Sequence, residues 1–587
     1  LYSTSEEIYE NQEDTHYEEF KQVMKFLFED HPALQQHFQT VWQDYSLSLA
    51  QLNVNNLAVI TAKKKQAEDA LYRGIVRTER MVIEGADKII DTSNENGKIQ
   101  VSQEDVLSYF TMNQLMRDSH LNEKVQTEYI KSAPYNMSFM DHYKLKEKIT
   151  NYFISHPDEV KKAKHSLLWV DPNIVNRYGN LPITNARLKN AKENALPAGA
   201  EKLMWIPPSM PYYEFGGVFK GQEHFSKILV FSGWEMVPRS IATLLSYEAE
   251  KLTVGKLIAQ TEKAGKKKSK KKRKKRDNES ENRTYFAKNR FPTSRFTFKM
   301  LNNEPANMNS LCLLYPSITL VKLFNPIEVL NEKLTIKELK DQIRLQLANR
   351  LSSIEYKKKE DNSRQDQQWY YMAPLLLDKQ NDVIRAWFDQ KGFIDQEDGN
   401  QTALTKHFEK LRELYFQEEQ PLLGRMPDDL LDVLTNMVIG SPALSALRML
   451  RRETTQTLTQ TVSIAKTIID QFNNQESIAI VDLEYGTGNE DAHWKNVLKY
   501  CVDGNIQAMF DEYAHMLTEG MDLSIEGREE TNKTLTNEMT NSIKTHSASL
   551  NVDTFNQFQN RIKNKKVKQM KMRTNYAVGF YMEKNDD

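Results

Sequence analysis

KILVFSGWEMVPRSIATLLSYEAE, residues 227–250, is the stretch on which the fold reading turns. Lys227, Ile228, Leu229, Val230 and Phe231 form a short apolar run suited to a buried parallel strand. Ser232-Gly233-Trp234 reads as a tight turn. Pro238 falls about one turn into the next periodic stretch, where a proline is tolerated because the first N–H groups of a helix have no acceptor. Ile241, Leu244, Leu245 and Ala249 continue that helix. Strand, turn and helix in this order are the clearest α/β signature in the chain. Upstream, LMWIPPSMPYY (residues 203–213) is too rich in proline for a helix interior.

Outward from this unit the pattern is helical. Phe20, Val23, Met24, Leu27 and Phe28 recur at helical spacing, and a second periodic stretch starts after His31-Pro32. It leads to a basic helix expected over Lys63 to Arg80. Residues 102–164 return to helical patterning after a polar, turn-like Asp91 to Gly97. Leu311 to Pro316, LCLLYP, reads as another strand or a buried turn. From about Leu334 onward the pattern is helical again, with polar loops near 360–367 and 396–402. The expected fold class is mainly α with a partial α/β element. The expected divisions are a helical region over 1–200, the α/β element over 201–260, a basic linker over 261–295 and a helical region over 296–587.

The 587 residues suffice for several cores, and 21 Gly with 18 Pro are few for that length, which favours long helices. Two cysteines, Cys312 and Cys501, exclude a disulfide framework and suit a reducing, cytoplasmic compartment. No continuous apolar run reaches the roughly 18–20 residues a membrane helix needs, so no membrane partner is expected. Residues Leu1 to Glu10 are polar and acidic, unlike a signal peptide, and there is no initiator Met. The expectation is an interior piece of a larger protein.

The net charge of −1 conceals an asymmetry. Lys266, Lys267, Lys268, Lys270, Lys271, Lys272, Arg273, Lys274, Lys275 and Arg276 put ten cations into eleven positions, and setting them aside leaves 69 basic against 80 acidic residues. Such a run spans about 35 Å when extended and can neutralise many phosphates without reading bases. A nuclear localisation signal or a solvated charge tract has the same composition. Arg77 and Arg80, three apart on one helix face, suit either a phosphate contact or an ion-pair surface with Asp69, Glu79 or Glu84.

The chain holds no GxxxxGK[ST] loop, HExxH, GxSxG or EF-hand sequence and no Cys/His set with zinc spacing. Asp511-Glu512-Tyr513-Ala514-His515 resembles a Mg²⁺-binding DEAH box with an inserted Tyr. Its context of Val497, Leu498, Cys501, Met509 and Leu517 instead favours a solvated Asp-Glu pair on a helix. His142-Tyr143-Lys144 opens like an HxKxxxxD motif, but position 149 is Ile149.

Residues 203–250, together with EDTHYEEFKQVMKFLF (13–28), RTER (77–80), LCLLYPSITL (311–320), GSPALSALRML (440–450) and YCVDGNIQAMFDEYAHML (500–517), resemble one family. It is that of large bacterial superfamily 2 DEAD/DEAH-type helicase-like proteins of the phage-defence or restriction-associated kind. The resemblance spans nearly the whole chain in one order. It implies that the ATP- and Mg²⁺-binding motifs precede the equivalent of Leu1. It also implies that residue 227 enters a second RecA-like lobe, that most of 253–587 is a large helical insertion, and that the lobe is completed after the equivalent of Asp587. By similarity, 227–234 matches the fourth helicase motif. Ser232, Gly233 and Arg239 would then contact nucleic acid, where a helix N-terminus also suits a phosphate; the alternative for Arg239 is a surface arginine capping a neighbouring helix. The implied activity is that of an ATP-dependent helicase or translocase acting on DNA, partnered by other defence proteins. The rival is a helical scaffold that binds nucleic acid or protein without ATP.

Overall fold

The computed structural model describes residues 15–51, 56–75, 99–121, 127–261, 283–288, 290–302, 304–360, 363–390, 394, 403–486, 490–521, 528–543, 548–566 and 568–575. The architecture is mainly helical, and the strands described form only two-stranded sheets. The chain divides into two compact units, Leu1–Lys98 and Ile99–Asp587.

In the first unit, helices Thr15–Leu27, Pro32–Ala50 and Leu57–Leu71 are described. Pro32 opens its helix at a position that needs no N–H acceptor. Met24 and Phe28, one turn apart, bury against Phe38 and Ala70, with Phe20 and Trp42 at the margin. Val23 and Leu27, which share the apolar spacing, stay exposed, because only the 20/24/28 row meets a neighbour. The basic helix ends at Leu71 rather than running to Arg80. Arg77, Arg80 and the turn-like stretch Asp91 to Gly97 lie outside the described residues.

The second unit has two large cores. One gathers Met112, Phe139, Ile149 and Phe153 with Met236, Val237 and Tyr247 of the Met236–Glu250 helix, and with Phe555, Phe558 and Met572. Its sheet is the antiparallel pair Ser549–Val552 and Met570–Arg573, within the region expected to be helical. Val552, Met570 and Met572 are buried while Asn551 and Lys571 face outward, the two-residue alternation of a half-covered hairpin. The other core joins Leu203, Trp205 and Phe219 to helices between residues 318 and 543. The stretch 201–260 is therefore shared between both cores. Of the 261–295 stretch, the basic run from Lys266 to Arg276 lies outside the described residues, and Tyr285 is buried in the first of these cores.

Two apolar runs depart from expectation. Residues 227–231 belong to no strand. They form no helix either, Phe231 is 89 % exposed, and Ile228, Leu229 and Val230 are exposed too. A strand needs a neighbouring edge, and the hairpin packed on the same helix pairs with itself. The turn and helix do form as read: Ser232 Oγ accepts from the Trp234 N–H at 3.1 Å, and Met236–Glu250 is helical with Pro238 in its first turn. The helix continues through a π-helical turn, Lys251–Gly255. Leu430–Leu450, 21 residues, has the length and apolarity to cross a membrane, although Asp432 and Asn436 interrupt its apolar run. It consists of helices Leu430–Gly440 and Pro442–Leu450, and most of it is buried in the protein's own core.

Candidate functional site

Three of the residues named from the sequence, Ser232, Gly233 and Arg239, sit at the start of the Met236–Glu250 helix. An aromatic clamp fixes that start. Trp234 stacks on Tyr143 (6.2 Å between centroids, 20° between planes) and meets Tyr129 edge-on at 5.2 Å. The Tyr143 hydroxyl accepts the Met236 N–H at 3.2 Å, satisfying one of the helix's first donors. A Cβ on Gly233 would meet open space, so the turn is accessible.

Arg239 does not stand free. Its Nη1 donates to Glu235 at 3.0 Å and its Nη2 to Asp141 at 3.2 Å, while Nε is buried without a partner. Asp141 also holds Lys146 at 2.8 Å, and Lys146 reaches Asp553 at 2.9 Å. Asp553 in turn pairs with Arg561. Lys146 is buried on the same helix face as Ile149 and Phe153, with Trp169 5.8 Å from its ammonium. A buried lysine on an apolar face demands an acid, and Asp553, itself buried, supplies it. That demand was legible in KLKEKITNYF (144–153), but the acid, some 400 positions later, was not.

This chain of charges borders a cleft of ≈ 480 Å³, whose walls include Thr150, Asn151, Asn551 and Gln557. The cations Lys146 and Arg561 face the acids Asp141, Glu147 and Asp553 in the cleft, and Arg239 with Glu235 joins them through Asp141. Charge is thus nearly balanced, and a phosphate brought to Arg239 has to displace a carboxylate. Arg239 ties its helix to the segment ahead of the Lys144–Ser155 helix rather than capping a neighbour. The cleft offers hydrogen-bond donors and acceptors, not a nucleophile beside a base.

The Asp511–His515 string lies on helix Ile506–Gly520, as its apolar context implied, and its two acids are half-buried and hydrogen-bonded. Asp511 accepts from Tyr212 Oη at 2.8 Å and Gln507 Nε2 at 3.0 Å, and burial lifts its carboxyl above the usual range. Glu512 accepts from Ser209 N–H at 2.7 Å and Oγ at 2.9 Å. Both carboxylates clamp the proline-rich segment. Among the described residues no three His, Cys, Asp or Glu side chains gather as metal ligands. Cys312 and Cys501 are buried, which raises both thiols and removes them as nucleophiles. No family model, curated protein or solved structure matches the chain.

Proposed function

We propose that this chain is the nucleic-acid-gripping and accessory helical part of an ATP-dependent helicase or translocase of the superfamily 2 kind, cytoplasmic, DNA-directed and engaged in defence. The observation that carries the reading is the unit 227–250. An exposed apolar segment outside any strand leads through an ordered turn into a well-packed helix, the sequence order of a strand–helix unit without strand pairing among the described residues. The resemblance of the same residues to a helicase motif supports it, as does a decacationic run in an otherwise acidic chain. The chain has no phosphate-cradling GxxxxGK[ST] loop, so ATP and Mg²⁺ would be held by elements beyond these residues and no hydrolytic step is assigned here.

The test is ATP hydrolysis by the full-length product of the gene. The expected result is hydrolysis stimulated by added DNA; a product that hydrolyses no ATP with or without DNA removes the motor. The second reading, a scaffold that grips nucleic acid or a partner protein without ATP, is favoured by the ion pairing of Arg239, whose charge is already met by Glu235 and Asp141.

A further inference from the structure

We infer that Arg451, Arg452 and Arg528 form a second, unassigned nucleic-acid contact, a guanidinium cluster that grips backbone phosphates. The proposal rests on the nucleic-acid half of the reading above and deepens it by naming the surface.

The cluster is built at a corner where one helix ends and two begin. Arg451 terminates helix Pro442–Leu450 with φ 54, a conformation that L side chains rarely adopt, and its N–H is fixed by the carbonyls of Leu447 and Arg448. Arg452 precedes Thr454, whose Oγ1 caps helix Thr455–Phe472 by accepting the Thr457 N–H at 3.2 Å. Arg528 opens helix Arg528–Ser542. Asn532, one turn further on the same face, donates Nδ2 to the Leu450 carbonyl at 3.0 Å, beside Arg451. The positive ends of two helices, of 18 and 15 residues, and the negative end of the nine-residue Pro442–Leu450 helix thus lie with the three side chains.

What sets these arginines apart is that three of them gather at one corner with no acid in ion-pair contact among the described residues. Arg239, Arg290, Arg295, Arg344, Arg425, Arg561 and Arg573 each hold a carboxylate. Arg448, buried nearby, is saturated by the carbonyls of Val321 and Val438 and by Gln507. Among the described residues, Arg451, Arg452 and Arg528 have no such partner. The acids around them stop short of contact: Glu453 is taken by Lys322 at 2.9 Å, Asp511 accepts from Tyr212 and Gln507 and acts on Arg451 only at a distance, and Glu529 and Glu530 are exposed in the first turn of the Arg528 helix. Burial and the facing charges of Arg451 and Arg452 hold the Arg528 guanidinium below its ordinary range. Like charges crowded with no carboxylate in direct contact are relieved further by an external anion, and the guanidinium fork matches phosphate oxygens in pairs. Arg451 and Arg452 are exposed, open to a continuous strand.

The experiment measures binding of a fluorescein-labelled single-stranded DNA oligonucleotide to the 587-residue chain by anisotropy, across a salt series. The Arg451→Gly, Arg452→Ala variant removes two cations, with glycine suited to the positive φ. The slope of log K against log salt should flatten by about 1.4, two contacts at roughly 0.7 each for a single strand, and affinity should fall several-fold at low salt. Arg344→Ala, which removes a cation paired with Asp432 elsewhere, should leave both unchanged. Melting is followed in parallel, and a double variant that melts early is replaced by Arg452→Ala, with half the slope change expected. Unchanged affinity and slope overturn the cluster and leave the motor reading intact. Binding lost in the variant, with no DNA-stimulated ATP hydrolysis by the full-length product, keeps the cluster and removes only the motor. No binding by the unaltered chain overturns both.

Discussion

KILVF (227–231) and LCLLYP (311–316) look alike in sequence and end in opposite environments. Leu311, Cys312, Leu313, Leu314 and Tyr315 are all buried in the larger core, whereas Phe231 and its neighbours face solvent. Hydrogen bonding separates them. The second run closes on itself: a 3₁₀ turn over Met308–Leu313 is followed by Leu314 and Tyr315 N–H groups bonded to the Leu311 carbonyl at 2.9 and 2.8 Å. Ser441 Oγ adds a bond to the Cys312 carbonyl at 3.2 Å. A backbone satisfied locally can enter a helical core without a sheet. Ile228 to Phe231 lack such bonds among the described residues, and burying their amides and carbonyls unpaired would cost more than burying the side chains returns.

The contrast can be broken in three places. Leu313→Ala, which empties a fully buried position, should cost about 2–5 kcal/mol, read as a lowered denaturant midpoint. An effect below ~1 kcal/mol would mean that the 311–316 turn is not a keystone of its core. Tyr315→Phe removes the hydroxyl that donates to buried Asp378 at 3.0 Å and should cost about 1–3 kcal/mol, since the carboxylate keeps Thr319 N–H at 2.8 Å. Phe231→Ser should change stability by less than about 0.5 kcal/mol while lowering the chain's self-association by light scattering. A larger loss of stability would show that the exposed run is packed after all.

The sequence was legible where a local rule is complete in itself. Met236–Glu250 formed as its periodicity and Pro238 implied, and the irregular path of 203–213 followed from its prolines. It was not legible where the deciding partner is remote. Whether 227–231 pairs depends on an edge elsewhere, and whether Arg239 is free depends on Asp141, nearly a hundred residues away. The hairpin Ser549–Val552 with Met570–Arg573 went unread because its strands flank a helix and are four residues each, too short for a two-residue period to stand out. The guanidinium cluster has a weak signal of its own: the pair Arg451-Arg452 directly ahead of a Thr-rich helix start, with no acid other than Glu453 beside it.

The proline-rich segment carries a consequence for how the protein is made. The Met204 N–H ends on Tyr500 Oη at 2.6 Å across 296 positions, and the Trp205 indole donates to the Gly504 carbonyl at 2.9 Å. At ribosomal speeds of about 5–20 residues per second, Trp205 and Phe219 emerge roughly 15–60 s before the helix they pack against exists. For that interval the nascent chain displays a cluster of large aromatics with nothing to cover them. Production of this protein should therefore depend on holding factors, and slowing translation beyond residue 219 should lower the soluble yield.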